Sequence, residues 1–231
     1  MQRAGIVELA AEGLPVLVTD CDLAEFDLAE FDLAVLDLAE LDLAGLDLAG
    51  WRFHRCGMKG ARFVGSILDG AEFDGCRGAA ADFAAARLGD AVFRGCDLNN
   101  ARFEAAVLTG AKVTGCKLTG ADLSKAGTIG LEIADSLLVS VRARGIGLRK
   151  AQLTGVDFSL ADLTGADFRD SVFEGSSLRE ALLSGARFEG ADLRGADLGG
   201  LKLVEAGRFR GAVISRGQAG DLLAELGLRV G

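Results

Sequence analysis

Residues 161–165 read Ala161-Asp162-Leu163-Thr164-Gly165, and residues 191–195 read Ala191-Asp192-Leu193-Arg194-Gly195. The same five-residue unit extends outward from both. Every fifth residue from Leu23 (Leu28, Leu33, Leu38, Leu43, Leu48, Phe53 and onward) to Val213 gives 39 central positions. Only Gly78, Thr128, Ala143 and Arg208 among them are not Leu, Phe, Met, Ile or Val. Two residues earlier runs a second series, Ala61, Ser66, Ala71, Cys76, Ala81 and so on. From Cys56 to Gly211, 29 of its 32 members are Ala, Cys, Ser, Val or Gly. No insertion interrupts this register between residues 21 and 215. An α-helix repeats its apolar face every 3.6 residues and a flat strand every two, so neither produces a period of five. A closed coil does. Two residues two apart point inward, the residue between them points out, and the rest of the unit turns a corner where glycine tolerates positive φ.

The Ala-(Asp/Asn)-Leu-x-Gly unit resembles that of the pentapeptide-repeat family, over about 195 of the 231 residues. The resemblance implies an all-β fold: a right-handed quadrilateral parallel β-helix with a short C-terminal α-helix. Four units, twenty residues, make one coil. Some 39 units make nearly ten coils, and ordinary strand spacing gives a rod about 45–50 Å long. Each buried central residue contributes ~1.5–3 kcal/mol. Three segments follow: an N-terminal cap over 1–15, the β-helix over 16–215, and a capping and dimerisation helix with its tail over 216–231.

Two stretches depart from the consensus. Between residues 24 and 51 the small position holds Phe26, Phe31, Leu36, Leu41, Leu46 and Trp51. The continuous frame is preferred there, because a shifted frame exposes a row of leucines. Residues 125–150 keep the spacing but lose the consensus, so distorted coils are expected, with a bend as one form of the distortion. At the C-terminus, Ser215-Arg216-Gly217-Gln218 has capping-box spacing. A helix should follow it and end at Gly227, with Ala219, Leu222, Leu223 and Leu226 on one stripe and Leu228 and Val230 beyond. This tail resembles the C-terminal helix through which Qnr- and MfpA-type proteins dimerise end to end. The alternative is a cap that only covers the last coil.

Nothing in the chain points to catalysis. His54 is the only histidine, has no nucleophile paired with it in sequence, and should face solvent. Cys56, Cys76, Cys96 and Cys116 are twenty residues apart and stack on one face as a packing ladder of reduced thiols, since buried cysteine acts as a small hydrophobe. Cys21 plays the same part on another face. No metal ligand set, phosphate loop or cofactor site is expected. No apolar run reaches the ~20 residues needed to cross a bilayer, and the N-terminus lacks signal-peptide layout, which predicts a cytoplasmic protein without a membrane partner.

The formal net charge is −9 and is unevenly placed. Residues 1–50 carry 12 acids and 1 base, residues 51–150 carry 10 and 15, and residues 151–231 carry 12 and 9. Such a chain repels nucleic acid and attracts basic surfaces. The candidate partner-binding carboxylates are Asp22, Asp27, Asp32, Asp37, Asp42, Asp47, Glu25, Glu30 and Glu40 near the N-terminus, and Asp157, Asp162, Asp167, Asp192 and Asp197 towards the C-terminus. Solubility of a long rod is the plainer explanation of any one row. The resemblance to Qnr- and MfpA-type proteins implies a DNA mimic that binds DNA gyrase or another type II topoisomerase at its basic DNA-binding surface. It implies protection against quinolones or topoisomerase-directed toxins, and a C-terminal homodimer. A scaffold module, or a binder of some other basic protein, is the alternative. The unbroken register matches the MfpA type, without the loop insertions of the Qnr type.

Overall fold

The structure is a computed structural model that describes residues 17–18, 39–201, 207–225 and 227–228. The candidates Asp22, Asp27, Asp32, Asp37, Glu25, Glu30, Leu226 and Val230, with Cys21 and residues 1–15, lie outside the described residues. Among the described residues nine strands form one parallel sheet in chain order: β1 Leu17–Val18, β2 Arg52–His54, β3 Glu72–Asp74, β4 Val92–Arg94, β5 Lys112–Thr114, β6 Glu132–Ala134, β7 Gln152–Thr154, β8 Val172–Ser177 and β9 Asp192–Asp197. From β2 onward consecutive strands are twenty residues apart, as in Arg52↔Glu72 and Glu72↔Val92. Single bridges at the same spacing tie the other three sides. The fold is thus a right-handed four-sided β-helix, and residues 39–201 make about eight coils.

Four faces can be named by their outward central columns. The first holds the strands (52, 72, 92 and onward). The second holds 57, 77, 97, 117, 137, 157, 177 and 197. The third holds 42, 62, 82, 102, 122, 142, 162 and 182, and the fourth 47, 67, 87, 107, 127, 147, 167 and 187. Nearly all the inward residues are buried and form one continuous core, with Ala126, Ala151 and Ala181 partly buried against it. Phe53, Phe73 and Phe93 stack face to face at 4.8 and 4.7 Å, and Phe63, Phe83 and Phe103 at 4.8 and 5.0 Å. The rung spacing of the sheet therefore matches an aromatic stacking distance. Gly78 is the one glycine in the central series; Leu98 and Met58 close over it, at 3.0 and 3.3 Å from where its Cβ would stand. Over residues 39–51 the continuous frame holds: Leu43 and Leu48 are buried, Trp51 is 2 % exposed, and Leu41 and Leu46 pack partly buried against the core.

The corner residue of nearly every unit has positive φ, from Gly60 (66°) to Leu160 (60°). At three corners of each coil the next amide bonds back three residues, as in Ala61 N–H to Met58 O (3.0 Å). At the corner between the first and second faces that bond is not made. There the cysteine column supplies it. The Cys96 amide donates to Cys116 Sγ (3.4 Å), the Cys116 amide to Ser136 Oγ (3.1 Å) and the Val156 amide to Ser176 Oγ (2.9 Å). In turn Cys76 and Cys96 donate to the carbonyls of Phe53 and Phe73, and Ser176 to that of Leu153. The four thiols are buried and are not joined in disulfides. They pack, and they also satisfy backbone groups that this wider corner leaves unpaired.

The register of five expected to run unbroken from 21 to 215 holds through the described coils and breaks only near the C-terminal end, while at the other end the spacing of coils, and not the register, changes. Leu17 pairs with Arg52 and Val18 with Phe53, thirty-five residues apart, three pentapeptides more than one coil. At the C-terminal end Asp192 pairs with Val213, twenty-one residues on. One extra residue has entered, so Phe209 and not Arg208 faces the core and stacks on Phe188 at 4.9 Å. Val213, the last member of the central series, is left 47 % exposed. The physical reason is that Phe209 packs on Phe188 while the half-buried Arg208 donates to Leu183 O (2.6 Å), which outweighs an unbroken count of five.

The distorted stretch at 125–150 is a seam. Neighbouring coils bond regularly on the second and third faces, as in Leu123 N–H to Arg142 O (2.7 Å) and Leu138 N–H to Asp157 O (2.7 Å). On the fourth face the Gly127–Gly147 bridge is missing, and β6 meets β7 only at Ala134↔Thr154. A cleft of about 560 Å³ opens there, lined by Thr128, Gly130, Glu132, Gly147, Arg149 and Gln152 among others.

Helix α1, Arg216–Glu225, closes the far end. The capping box forms: the Ser215 amide donates to Gln218 Oε1 (2.6 Å) and the Gln218 amide to Ser215 Oγ (3.2 Å). Gly227 ends the helix at φ 79°, with Leu228 N–H to Leu223 O and Gly227 N–H to Ala224 O, both at 2.9 Å. That pair of bonds is the Schellman arrangement.

Candidate partner-binding surface

The outward Asp of the repeat has a local task. Asp42, Asp47, Asp82, Asp97, Asp122, Asp157, Asp162, Asp167, Asp192 and Asp197 each accept, through Oδ1, the amide of the residue two positions on, at 2.9–3.3 Å. This is an Asx turn that shapes the corner. The fold itself therefore calls for aspartate here, whether or not a partner exists.

The second carboxylate oxygen is free to meet a cation, and in most cases it does. The third face alternates Asp42, Arg62, Asp82, Arg102, Asp122, Arg142 and Asp162 up the rod. Arg62 reaches Asp42 at 2.9 Å, Arg102 reaches Asp82 at 2.9 Å and Arg142 reaches Asp122 at 3.0 Å; Arg144 covers Asp162 at 2.6 Å. On the fourth face Arg169 and Arg187 clamp Asp167 at 2.7 and 2.8 Å. The Arg169 bond is the main reason this carboxyl is held down to about 2. Asp192 is likewise lowered to about 2 by Arg194. Asp197 pairs with Arg179 at 2.9 Å.

Of the candidate carboxylates in the described coils, Asp42, Asp162, Asp167, Asp192 and Asp197 are therefore ion-paired. Glu40, Asp47 and Asp157 make no ion pair among the described residues. Residues 39–201 carry 22 acids against 19 bases, while residues 1–38 carry 9 acids against 1 base. Most of the net charge thus belongs to the first 38 residues. The alternation on the third face is visible when the sequence is read every twenty residues, a reading the five-residue period conceals.

At the C-terminal end Leu222 is buried, Ala219 and Leu223 are partly buried, and Leu228, Val213 and Ile214 are exposed. Gln218 also donates to Leu193 O (2.6 Å) and Ala196 O (2.7 Å), closing carbonyls at the open edge of the helix. His54 lies 3.9 Å from Asp74, with no nucleophile in the contact. Among the described residues no group of His, Cys, Asp and Glu is arranged to hold a metal ion, and no helix is long and apolar enough to cross a membrane.

The family profile described as Pentapeptide repeats (8 copies) matches residues 56–91, 86–124, 141–179 and 171–206. The chain is a pentapeptide-repeat protein. The profile passes over 125–140, where the coils of this pentapeptide-repeat protein part at the seam. The rod is similar to a trypsin-treated form of QnrB1, a plasmid-mediated fluoroquinolone resistance protein, at TM-score 0.76 and 26 % identity. That match covers 85 % of this chain and 98 % of that one. Full-length QnrB1 matches at TM-score 0.71 and 22 % identity, over 93 % and 98 % of the two chains. A comparison with curated proteins finds no match by sequence.

Proposed function

We propose that this pentapeptide-repeat protein binds the basic, DNA-contacting surface of DNA gyrase or a related type II topoisomerase and modulates the enzyme's response to quinolones or peptide toxins. The observation that carries the reading is the structural match to a fluoroquinolone resistance protein over nearly all of that protein's length. A rod of constant width with an acidic N-terminal portion suits a saddle evolved to hold duplex DNA, since the same long-range field draws both. The candidate contacts are Asp22, Asp27, Asp32, Asp37, Glu25, Glu30, Glu40, Asp42 and Asp47, with Asp157, Asp162, Asp167, Asp192 and Asp197. The protein acts by binding in a bacterial cytoplasm and not as an enzyme. Its C-terminal end joins a second copy through Leu223, Leu226, Leu228 and Val230, with Ala219 and Leu222 in support.

Purified protein added to a gyrase supercoiling assay, with and without ciprofloxacin and at low and raised salt, tests the reading. Inhibition or drug rescue that weakens as salt rises supports it, because exposed charges are screened. No effect at micromolar protein overturns it. The extensive ion pairing of residues 39–201 favours a second reading in that event, a scaffold module binding another basic protein. Sedimentation of a Leu228→Asp variant tests the end-to-end dimer; an unchanged mass overturns it.

A further inference from the structure

The second face has a charged column whose members do not neutralise one another, although its last two residues, Ser177 and Asp197, fall in β8 and β9. Read up the rod, it presents Arg77, Asp97, Lys117, Leu137, Asp157, Ser177 and Asp197, one coil apart. Arg77 and Lys117 make no ion pair among the described residues, and neither do Asp97 and Asp157. Leu137, at the centre, is 43 % exposed. Reversing this series about Leu137 sets each residue against one of fitting chemistry. Lys117, one coil before, meets Asp157, one coil after. Asp97 meets Ser177, an acceptor against a hydroxyl. Arg77 meets Asp197. Leu137 meets Leu137.

We infer that the second face recognises a second copy of this chain, docked antiparallel about a twofold axis through Leu137. An interface on a twofold axis must be self-complementary, and this column sets opposite charges together at the Lys117–Asp157 and Arg77–Asp197 levels and leucine on leucine at the axis, while the Ser177 hydroxyl facing Asp97 is already engaged by Ser159. Rungs of the two rods share one spacing, roughly 4.7–4.9 Å, so alignment at Leu137 brings the other pairs into register together. The Lys117–Asp157 pairs, which occur twice, carry most of the preference. Asp197 is already held by Arg179 and adds less. The third face, equally charged, offers no such site because its arginines and aspartates satisfy each other within one chain. One side of a thin rod is small, so the association belongs to the weak class and responds to salt.

The test is sedimentation equilibrium of the full chain over a concentration series, at low and high salt, with charge reversals. Lys117→Glu and Asp157→Lys should each weaken association about tenfold, by setting like charges opposite. The double variant should return to within about threefold of the wild type. A Leu137→Cys variant should form a disulfide-linked dimer under mild oxidation, which an end-to-end contact through α1 cannot give because the two positions are then far apart. Single reversals without effect, a double variant that is not restored, or a Leu137→Cys chain that stays monomeric on oxidation overturns the proposal.

Discussion

The hydroxyl of Thr128 stands in for a missing rung of the β-ladder: it donates to the Gly147 carbonyl and accepts from the Gly147 amide, each at 3.1 Å. Polar and buried in a series of leucines and phenylalanines, it looks like a flaw in the repeat. It is the residue that holds the seam. Without it, an amide and a carbonyl at the lip of the cleft lose their partners.

Thr128→Val keeps the shape and removes both bonds. It should cost about 1–3 kcal/mol, since each lost hydrogen bond contributes ~0.5–1.5 kcal/mol net where water can reach the groups left behind. Thr128→Ser should cost much less. Urea denaturation measures the difference, and hydrogen exchange should quicken first across residues 125–152.

Gln218 joins two ends at once, the start of α1 and the last coil. Gln218→Ala should lower stability by about 2–3 kcal/mol, from a lost cap and two lost bonds to strand carbonyls. It should also raise aggregation, because the bared coil offers unpaired backbone to another chain. Thermal unfolding followed by light scattering reads both effects.

The clamp on Asp167 makes a pH prediction. Its carboxyl is held at about 2 by Arg169 and Arg187, below the 3.8 of an unstrained aspartate. A depressed folded value stabilises the ionised protein above about pH 4, and this contribution is lost as pH falls towards 2. Asp167→Asn should therefore be less stable than the wild type at pH 7, with the gap closing by pH 2. Guanidinium titrations at several pH values check it.

The cysteine column should be chemically quiet. The Cys76 thiol is pushed up to about 12, first by its bond with Cys56 and then by burial. For Cys96 the bond with Cys116 pulls the other way, but the bond with Cys76 and burial outweigh it and the value is again about 12. Cys116 is raised by its bond with Cys96 and by burial. Iodoacetamide at pH 8 should leave all three unmodified in the native protein and label them in urea. A raised folded value also means stability that is whole below about pH 9 and declines as pH rises towards 12.

Much of this was open to reading from the chain. Leu163 and Ala161 declare their inward positions because only a coil of fives buries both, and Ser215 with Gln218 announces the helix through the spacing of its box. Other features are set by partners twenty residues away. Nothing local distinguishes Cys96 filling space from Cys96 bonding Phe73, since the wider corner that frees those groups leaves no mark on composition. Arg208 and Phe209 are adjacent, and only packing against Phe188 decides which turns in. The pairing of Val18 with Phe53 depends on how the intervening residues are spent, which a period cannot state. Among the acids, the count was legible, but their neutralisation by Arg62, Arg102, Arg142 and Arg187 shows only in a reading every twenty residues, because each bridge spans a whole coil.

The odd corner between the first and second faces makes the four sides of the rod inequivalent. Deleting a single pentapeptide would turn every later unit by a quarter, bringing alanines such as Ala101 or Ala121 beneath a corner where thiols and hydroxyls hold the amides of Cys96, Cys116 and Val156. Removing a full twenty residues would leave the column intact. This architecture thus lengthens or shortens at least cost by complete revolutions, and gene duplications within the thiol-lined coils should survive best in multiples of sixty nucleotides.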